Sequence, residues 1–390
     1  MVKNFESKVF WTAIVIVGTV LALTVYFLQG QREGKVDSEG HVSAETYLEG
    51  GLLCFFMINI CYFLRRIDMK IYFAPMEGIT GYIYRNAVWH QFPYVDKFYA
   101  PFIQPNPKRV FVPKEERDIL PENNVDIPLV PQVLTCSADG FIRAGKALEA
   151  YGYEEVNLNL GCPSGTVVSK GKGAGMLADG EKLKVFLGEV FSADWKAKVT
   201  VKTRLGVTAE DDFLELLEIF QQFPIAELTI HPRYRTDFYK GTPHMDLFRQ
   251  ALENNASLSI CYNGNLFTKQ DYEQFVLDYS DDNLESVMIG RGLLANPALV
   301  REIRGGEPLK KEELRSFHDS ILSGYQKIDF GEKNILFKMK ELWNYWGTIF
   351  TDASKELKKV QKAGGYAEYR SAVDALFRER DLMTHGGYRT

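Results

Sequence analysis

The sequence predicts an α/β fold, a (β/α)8 TIM barrel followed by a small all-helical C-terminal domain and preceded by an N-terminal hydrophobic extension. Three observations carry this. Short β-rich runs alternate with helix-length stretches from residue 69 onward. Each run is nearly continuous in apolar character, as strands covered by helices on both faces should be. After Pro297 only helical spacing remains.

Strands are expected over 70–74, 97–102, 128–134, 155–160, 198–203, 226–231, 257–262 and 286–290. Helical stretches such as 140–151, 180–191, 209–223 and 269–279 separate them. Eight such units in about 230 residues favour a closed barrel over an open doubly wound sheet. Helices are then expected over 312–326, 335–350, 353–363 and 367–377. The domains are accordingly 1–68, the extension; 69–305, the barrel; and 306–390, the helical domain.

The extension does not read like the rest. Residues 10–28 form a run of 19 without a charge, just long enough to span a bilayer, and 52–64 is a second, shorter apolar run. The first is expected to be a membrane anchor; the second spans or lies in the interface, with Arg65 and Arg66 behind it. The rival reading is a mis-called start. Arg65-Arg66 can be the translation of a purine-rich ribosome-binding sequence, and Met69 then opens the natural protein. Membrane association follows only if the extension is real.

Composition narrows the function. With 46% apolar and 25% charged residues the chain is globular, and its net charge of −5 gives no strong field toward nucleic acid. Any such contact must use local basic patches. Five cysteines without a CxxC pair argue for a reducing compartment and against disulfides or structural zinc. No HExxH occurs among six histidines, and no metal site is expected.

In a barrel the functional groups gather at the carboxyl ends of the strands. Those positions carry Pro75-Met76-Glu77-Gly78, Gln132, Asn159 with Cys162, Lys202 with Arg204, His231 with Arg233, Asn263-Gly264-Asn265 and Gly290-Arg291-Gly292. The last two follow strands seven and eight, where barrels commonly bind phosphate. The dinucleotide fingerprint GxGxxG is missing after any strand. The barrel mouth is thus the cofactor site, with Arg291 as phosphate clamp.

From Ile71 to about Phe350 the chain resembles the tRNA-dihydrouridine synthases. The resemblance rests on Ala74-Pro75-Met76-Glu77-Gly78 with Tyr84-Arg85, Gln132, Leu158-Asn159-Leu160-Gly161-Cys162-Pro163-Ser164 and Gly173-Ala174-Gly175-Met176-Leu177. It continues through Lys202-Thr203-Arg204-Leu205-Gly206, His231-Pro232-Arg233 with Tyr239-Lys240-Gly241, Asn263-Gly264-Asn265 and Ile289-Gly290-Arg291-Gly292. Any one of these is weak; their order at strand ends is specific.

The resemblance implies FMN as cofactor, NADPH or NADH as electron donor, and a D-loop uridine of tRNA as substrate. Pro75, Met76 and Glu77 would line the flavin ring, Gln132 and Lys202 would hydrogen-bond its edges, and His231 would stand near it. Asn263, Gly264, Asn265, Gly290 and Arg291 would hold the phosphate. Asn159 and Arg233 would contact the substrate. Cys162 would protonate C5 of the uracil; a thiol with an ordinary pKa of about 8.5 holds its proton at neutral pH yet can release it. Lys170 and Lys172, in the glycine run to Gly175, suit a loop that closes over the nucleotide.

The helical domain is more basic than acidic, opposite to the whole chain, and Lys333, Lys338, Lys340, Lys358, Lys359 and Lys362 are candidates for the tRNA backbone. Cys136 and Cys261 are read as core or supporting residues. A monomer is expected, with a cytoplasmic catalytic domain, tethered to the inner face of the membrane if residues 10–28 are an anchor. Two departures from the family pattern stand out: Pro243-His244-Met245 follows Gly241-Thr242, and Asn265 replaces the common Asp. The alternative function is an FMN oxidoreductase acting on a free pyrimidine, such as a dihydroorotate-type dehydrogenase, which would not need the basic helices.

Overall fold

Strands that are apolar on both faces need cover on both sides, and a chain returning through a helix to a parallel neighbour supplies it. A computed structural model describes residues 69–390 except 210, 280–283, 329–330 and 389–390. Its parallel segments are β1 (Lys70–Phe73), β2 (Lys97–Tyr99), β3 (Leu129–Val130), β4 (Gln132–Val133), β5 (Glu155–Leu160), β6 (Lys198–Arg204), β7 (Leu228–His231), β8 (Ile260–Tyr262) and β9 (Ser286–Ile289). They pair in the order β3-β2-β1-β9-β8-β7-β6-β5-β4, a near-closed barrel.

The two ends of that order are consecutive in sequence. β3 and β4 are the halves of the single strand expected over 128–134, parted at Pro131, which has no N–H to donate. The first half pairs with β2 and the second with β5. The Pro131 carbonyl still accepts from Asn157 N–H at 2.9 Å. One expected strand therefore appears as two, and the turn of the chain between its two partners brings the sheet round on itself.

The helices around the barrel are α1 (Tyr82–Gln91), α2 (Pro113–Ile119), α3 (Ala138–Ala150), α4 (Gly165–Val168), α5 (Gly180–Phe191), α6 (Phe213–Gln221), α7 (Met245–Glu253), α8 (Lys269–Asp278), α9 (Arg291–Ala295) and α10 (Leu299–Ile303). Side-chain caps start several of them. Ser137, Asp179 and Asp212 accept from backbone N–H groups in the first turns of α3, α5 and α6. In α6 the buried residues are Phe213, Leu216, Leu217 and Phe220, the spacing of one helical face.

A second group follows, α11 (Lys311–Lys327), α12 (Glu332–Trp346), α13 (Ser354–Lys362) and α14 (Tyr366–Glu379), close to the expected helices. Their interior is aromatic. His318 Nε2 and Trp343 Nε1 both meet the Tyr369 hydroxyl, at 2.9 and 2.8 Å. Phe317 on α11 packs edge-on against Tyr84 of α1 at 5.4 Å, and the barrel and these helices belong to one compact unit. The apolar runs 10–28 and 52–64 lie outside the described residues. Among the described residues no helix is long and apolar enough to cross a membrane.

Below the mouth, the barrel interior is partly polar. The buried Glu227 carboxylate accepts from Tyr72 Oη at 3.0 Å, Ser286 Oγ at 3.3 Å and Tyr99 Oη at 3.4 Å. Burial pushes its pKa up.

The loop after β1 is anchored by one buried cation. Arg85, 0% exposed, donates to Thr80 O at 2.7 Å, to Asp118 O at 2.5 Å and Oδ2 at 3.1 Å, and to Asn124 Oδ1 at 2.9 Å. Its place in the Tyr84-Arg85 motif is thus a matter of tying β1's loop to α2. Arg85→Leu leaves the Asp118 carboxylate without its cation, held only by the Tyr82 N–H at 2.6 Å, and is expected to lower stability by about 3–5 kcal/mol. Urea unfolding checks this; a loss below about 1 kcal/mol would show the pair to behave like a surface bridge.

Candidate functional site

The carboxyl ends of the strands converge on one cavity of about 440 Å³. That is within the usual range for a cofactor pocket, roughly 300–1,000 Å³. Of the residues singled out in the sequence, Pro75, Met76, Glu77, Gln132, Asn159, Cys162, Lys202, His231, Asn263, Gly264, Gly290 and Arg291 line it.

Its frame is a chain of buried amides. Asn157 Nδ2 donates to Thr200 Oγ1 at 3.0 Å, Gln132 Nε2 to Asn157 Oδ1 at 2.8 Å, and Asn159 Nδ2 to Gln132 Oε1 at 2.7 Å. Asn159 Oδ1 then accepts from the N–H groups of Gly161 and Cys162 at 3.0 and 2.9 Å. The turn that presents the thiol is therefore held from beneath by a strand residue. Each amide NH2 has two hydrogens, so Gln132 and Asn159 each keep one N–H free of these bonds.

The glycine run supports the same turn from the other side. Ala174 N–H donates to Cys162 O at 3.1 Å, and a Cβ on Gly173 would stand 2.9 Å from that oxygen. Gly173 also has φ +56°, so glycine is required there twice over. Gly173 and Ala174 are buried, and neither Lys170 nor Lys172 lines the cavity. At Gly173 and Ala174 the run expected as a closing loop is packed under Cys162, while Gly171 is exposed.

Burial pushes the Cys162 thiol up, against the opposing pull of the Ser164 N–H. It therefore carries its proton at neutral pH. Cys261 is buried, as expected, whereas Cys136 is exposed rather than packed in the core.

Two cations and a neutral imidazole occupy the adjoining wall. Burial first, and the Arg204 charge second, lower Lys202 from 10.5 to about 7. No carboxylate stands among the charged neighbours that shift it. His231 is held well below its ordinary value by burial and by Arg204, Lys202 and Arg233, so it is neutral. Its Nε2 faces Arg233 Nη1 at 3.2 Å and its Nδ1 faces Asn263 Oδ1 at 3.3 Å. An arginine can only donate, so Nε2 accepts and Nδ1 carries the hydrogen.

Arg233 itself does not line the cavity. It is 0% exposed and donates to Lys240 O, Gly241 O and Asn265 Oδ1 as well as to His231. Asn265 also stands behind the lining. Its Oδ1 accepts from Arg233 at 3.2 Å and from Arg291 Nη2 at 3.1 Å. An aspartate there would offset one of the two guanidinium charges; the asparagine accepts from both without offsetting either.

In the sequence Arg204 and Tyr239 enter only as parts of motifs, without a role, and Glu341 and Tyr345 are not singled out at all. Arg204 lines the cavity and donates to Gly161 O at 2.9 Å, Tyr234 O at 3.0 Å and Phe238 O at 2.8 Å, bracing the Cys162 turn from β6. Its motif neighbour Lys202 was the signal that could have found it. Tyr239 lies 5.4 Å from both Arg204 and Arg291. Glu341 and Tyr345 reach the cavity from α12, four residues apart on one helix face. Nothing in strand-end spacing could have shown them.

The donor set fits an electron-rich ring system carrying an anionic group. Lys202 offers an unpaired cation on one wall, Arg291 offers another on the β8–β9 side with no ion pair among the described residues, and uncommitted amide hydrogens lie between. A cavity at the carboxyl ends of the strands is where enzymes of the TIM-barrel type keep their active sites. A family model described as dihydrouridine synthase matches residues 72–373. The chain is 30% identical over 237 residues to tRNA-dihydrouridine synthase B of Pasteurella multocida, covering 60% of this chain and 69% of that one. It is 27% identical over 324 residues to a probable tRNA-dihydrouridine synthase of Staphylococcus epidermidis, covering 80% and 94%. A probable tRNA-dihydrouridine synthase of Staphylococcus aureus strain Mu50 is 26% identical over 322 residues, covering 79% and 93%. The chain belongs to the dihydrouridine synthase family, whose general activity is flavin-dependent reduction in tRNA.

The Lys202 value has a consequence for stability. Between pH 7 and 10.5 the unfolded chain binds a proton that the folded, flavin-free chain lacks, so this group's contribution to stability rises with pH through that window. Lys202→Met is therefore expected to stabilise the flavin-free protein at pH 6 by a few kcal/mol, on the order of 2–4, with the gap closing toward pH 10. Thermal unfolding across pH checks it; a gap independent of pH would show that the ammonium is not held out of solvent.

Proposed function

We propose that this protein reduces a D-loop uridine of tRNA to 5,6-dihydrouridine, with Cys162 as the proton donor to C5. The observation that carries the reading is the protonated thiol of Cys162, on a turn fixed by Asn159, in the same cavity as Lys202 and Arg291, neither of which has an ion pair among the described residues.

FMN, re-reduced by NADPH or NADH, supplies the hydride for C6 of the uracil when bound at the barrel mouth. The chain's residues do the rest. Arg291 holds the phosphate, with Asn263, Gly264 and Gly290 forming the wall beside it. Pro75, Met76 and Glu77 bound the ring, while Gln132 turns its spare N–H toward it. Lys202 would place positive charge beside the ring, and a negatively charged ligand there would favour its protonated form. His231, neutral with its Nδ1 hydrogen on Asn263, presents no charge of its own. Asn159 donates its remaining N–H to a uracil carbonyl. Cys162 Sγ gives its proton to C5 as C6 gains the hydride, and the thiolate regains a proton from solvent. Arg233 and Asn265 act through His231 and Arg291.

A base within a folded tRNA must be unstacked to reach this cavity, at a cost of a few kcal/mol that is lowest in a loop. Lys333, Lys358, Lys359 and Lys362 are exposed and suit the backbone, and Phe337, 72% exposed, lies one turn from Lys333 on α12. Lys338 and Lys340 serve otherwise. Lys338 Nζ donates to Gly78 O at 2.7 Å, and Lys340 Nζ bonds to Ala363 O at 2.5 Å. A tRNA substrate places the catalytic domain in the cytoplasm.

Cys162→Ala is expected to bind FMN and accept electrons from NADPH at the wild-type rate, while uridine reduction falls about 10²-fold or more. Rapid-mixing absorbance of the two half-reactions separates these. Equal losses in both would refute the proton-donor role. Mass analysis of tRNA from a deletion strain without an overlapping enzyme tests the substrate: unchanged dihydrouridine, together with turnover of a free pyrimidine by the purified protein, would favour the dihydroorotate-type alternative.

A further inference from the structure

The segment from Asp381 to Tyr388 leaves α14 and is built into the barrel's phosphate side. Thr351 N–H donates to Asp381 O and Met383 N–H to Ile349 O, both at 2.9 Å, and Phe350 bridges Leu382 in antiparallel fashion. Asn296 Nδ2 reaches Gly386 O at 3.2 Å and Glu302 Oε1 at 2.8 Å. His385 Nδ1 meets the other oxygen of Glu302, a residue only 1% exposed, at 2.8 Å. Gly387 passes so near the loop before α8 that a Cβ would stand 2.2 Å from Phe267 O and 2.6 Å from Thr268 Cγ2.

This path delivers one ring to one cation. The Tyr388 ring lies 5.3 Å from Phe267 and 5.8 Å from Tyr345. The Arg291 guanidinium sits 5.3 Å from Tyr388, 4.9 Å from Phe267 and 5.4 Å from Tyr239, with Asn265 Oδ1 as its hydrogen-bonded acceptor. Aromatic faces hold a guanidinium in place while leaving its charge in force, which a carboxylate would not. Arg291 has five N–H donors and Asn265 engages one of its nitrogens, so donors remain for a doubly charged phosphate.

We infer that Tyr388 is a positioning residue for the cofactor's phosphate: delivered by the Asp381–Tyr388 segment, it fixes Arg291 without neutralising it. The inference rests on the reading of the cavity as an FMN site. It makes a segment far from every strand-end motif part of cofactor binding.

Riboflavin lacks only the phosphate, which provides the test. Binding of FMN and of riboflavin to the purified full chain is followed by flavin fluorescence. Tyr388→Leu is expected to raise the Kd for FMN by about three- to thirty-fold and to leave that for riboflavin unchanged. Tyr388→Phe, which keeps the ring, should bind both as the wild type does. In an Arg291→Gln background, Tyr388→Leu should add nothing further. Gly387→Val, which drives the segment off Phe267, should reproduce the Tyr388→Leu pattern. Equal weakening of both flavins, or none for FMN, would overturn the inference. If the wild-type chain binds neither flavin, the FMN reading itself fails; if it binds FMN and Tyr388→Leu matches it, only the role of Tyr388 fails.

Discussion

The site depends first on the hydrogen bonds from Asn159 to the Cys162 turn and to Gln132. Asn159 is the fifth residue of β5, so its backbone is fixed by the ladder to β6, while its side chain is spent upward on two N–H groups of the next turn. Gln132, its partner, belongs to β4, the half-strand released by Pro131 to meet β5. Closing the barrel and aiming the thiol are therefore one operation. Were β4 to slip by one residue, Gln132 would turn to the other face and the amide chain would lose its middle member.

Charge is partitioned along the barrel axis. Carboxylates and tyrosines meet in the interior around Glu227 and Glu155, where Lys97 pairs with Glu155 at 2.6 Å. Cations concentrate at the mouth, in Lys202, Arg204, Arg233 and Arg291. A chain with a net charge of −5 thus gathers Lys202, Arg204 and Arg291 in a cavity whose lining carboxylates are Glu77 and Glu341. Such a local field needs walls of low dielectric to be effective, and the burial that lowers Lys202 and His231 provides them. The same burial makes the mouth costly to the folded chain until an anionic ligand enters it.

The linear motifs were legible because each strand end carries its chemistry within three or four residues. Ala74–Gly78, Asn159–Cys162 and Lys202–Arg204 could be read this way, and all contribute to the cavity. Position along a strand does not say which way a guanidinium turns, however. Arg233 and Asn265 looked like ligand contacts and lie behind the lining; Arg204 looked like a companion of Lys202 and braces the Cys162 turn. The glycine run misled for a similar reason. Its composition is that of a free loop, yet close approach to Cys162 is why glycine is needed at Gly173. The contacts made by Glu341, Tyr345 and Tyr388 arise only when distant segments meet, and no periodicity encodes such a meeting.

Those distant contacts change what the helical domain does. Lys338 on α12 bonds the Gly78 carbonyl in the loop after β1, and Glu341 and Tyr345 of the same helix form cavity wall. Tyr345 then packs on Tyr388, which packs on Arg291. One helix thus touches the loop after β1 directly and, through Tyr388, packs toward Arg291. A face that only gathered RNA could be attached to the barrel anywhere. Because α12 closes the mouth on two sides, an RNA that shifts this helix would act at once on the pocket its base must enter. The helices are therefore part of the cavity wall and not merely an appendage to the barrel.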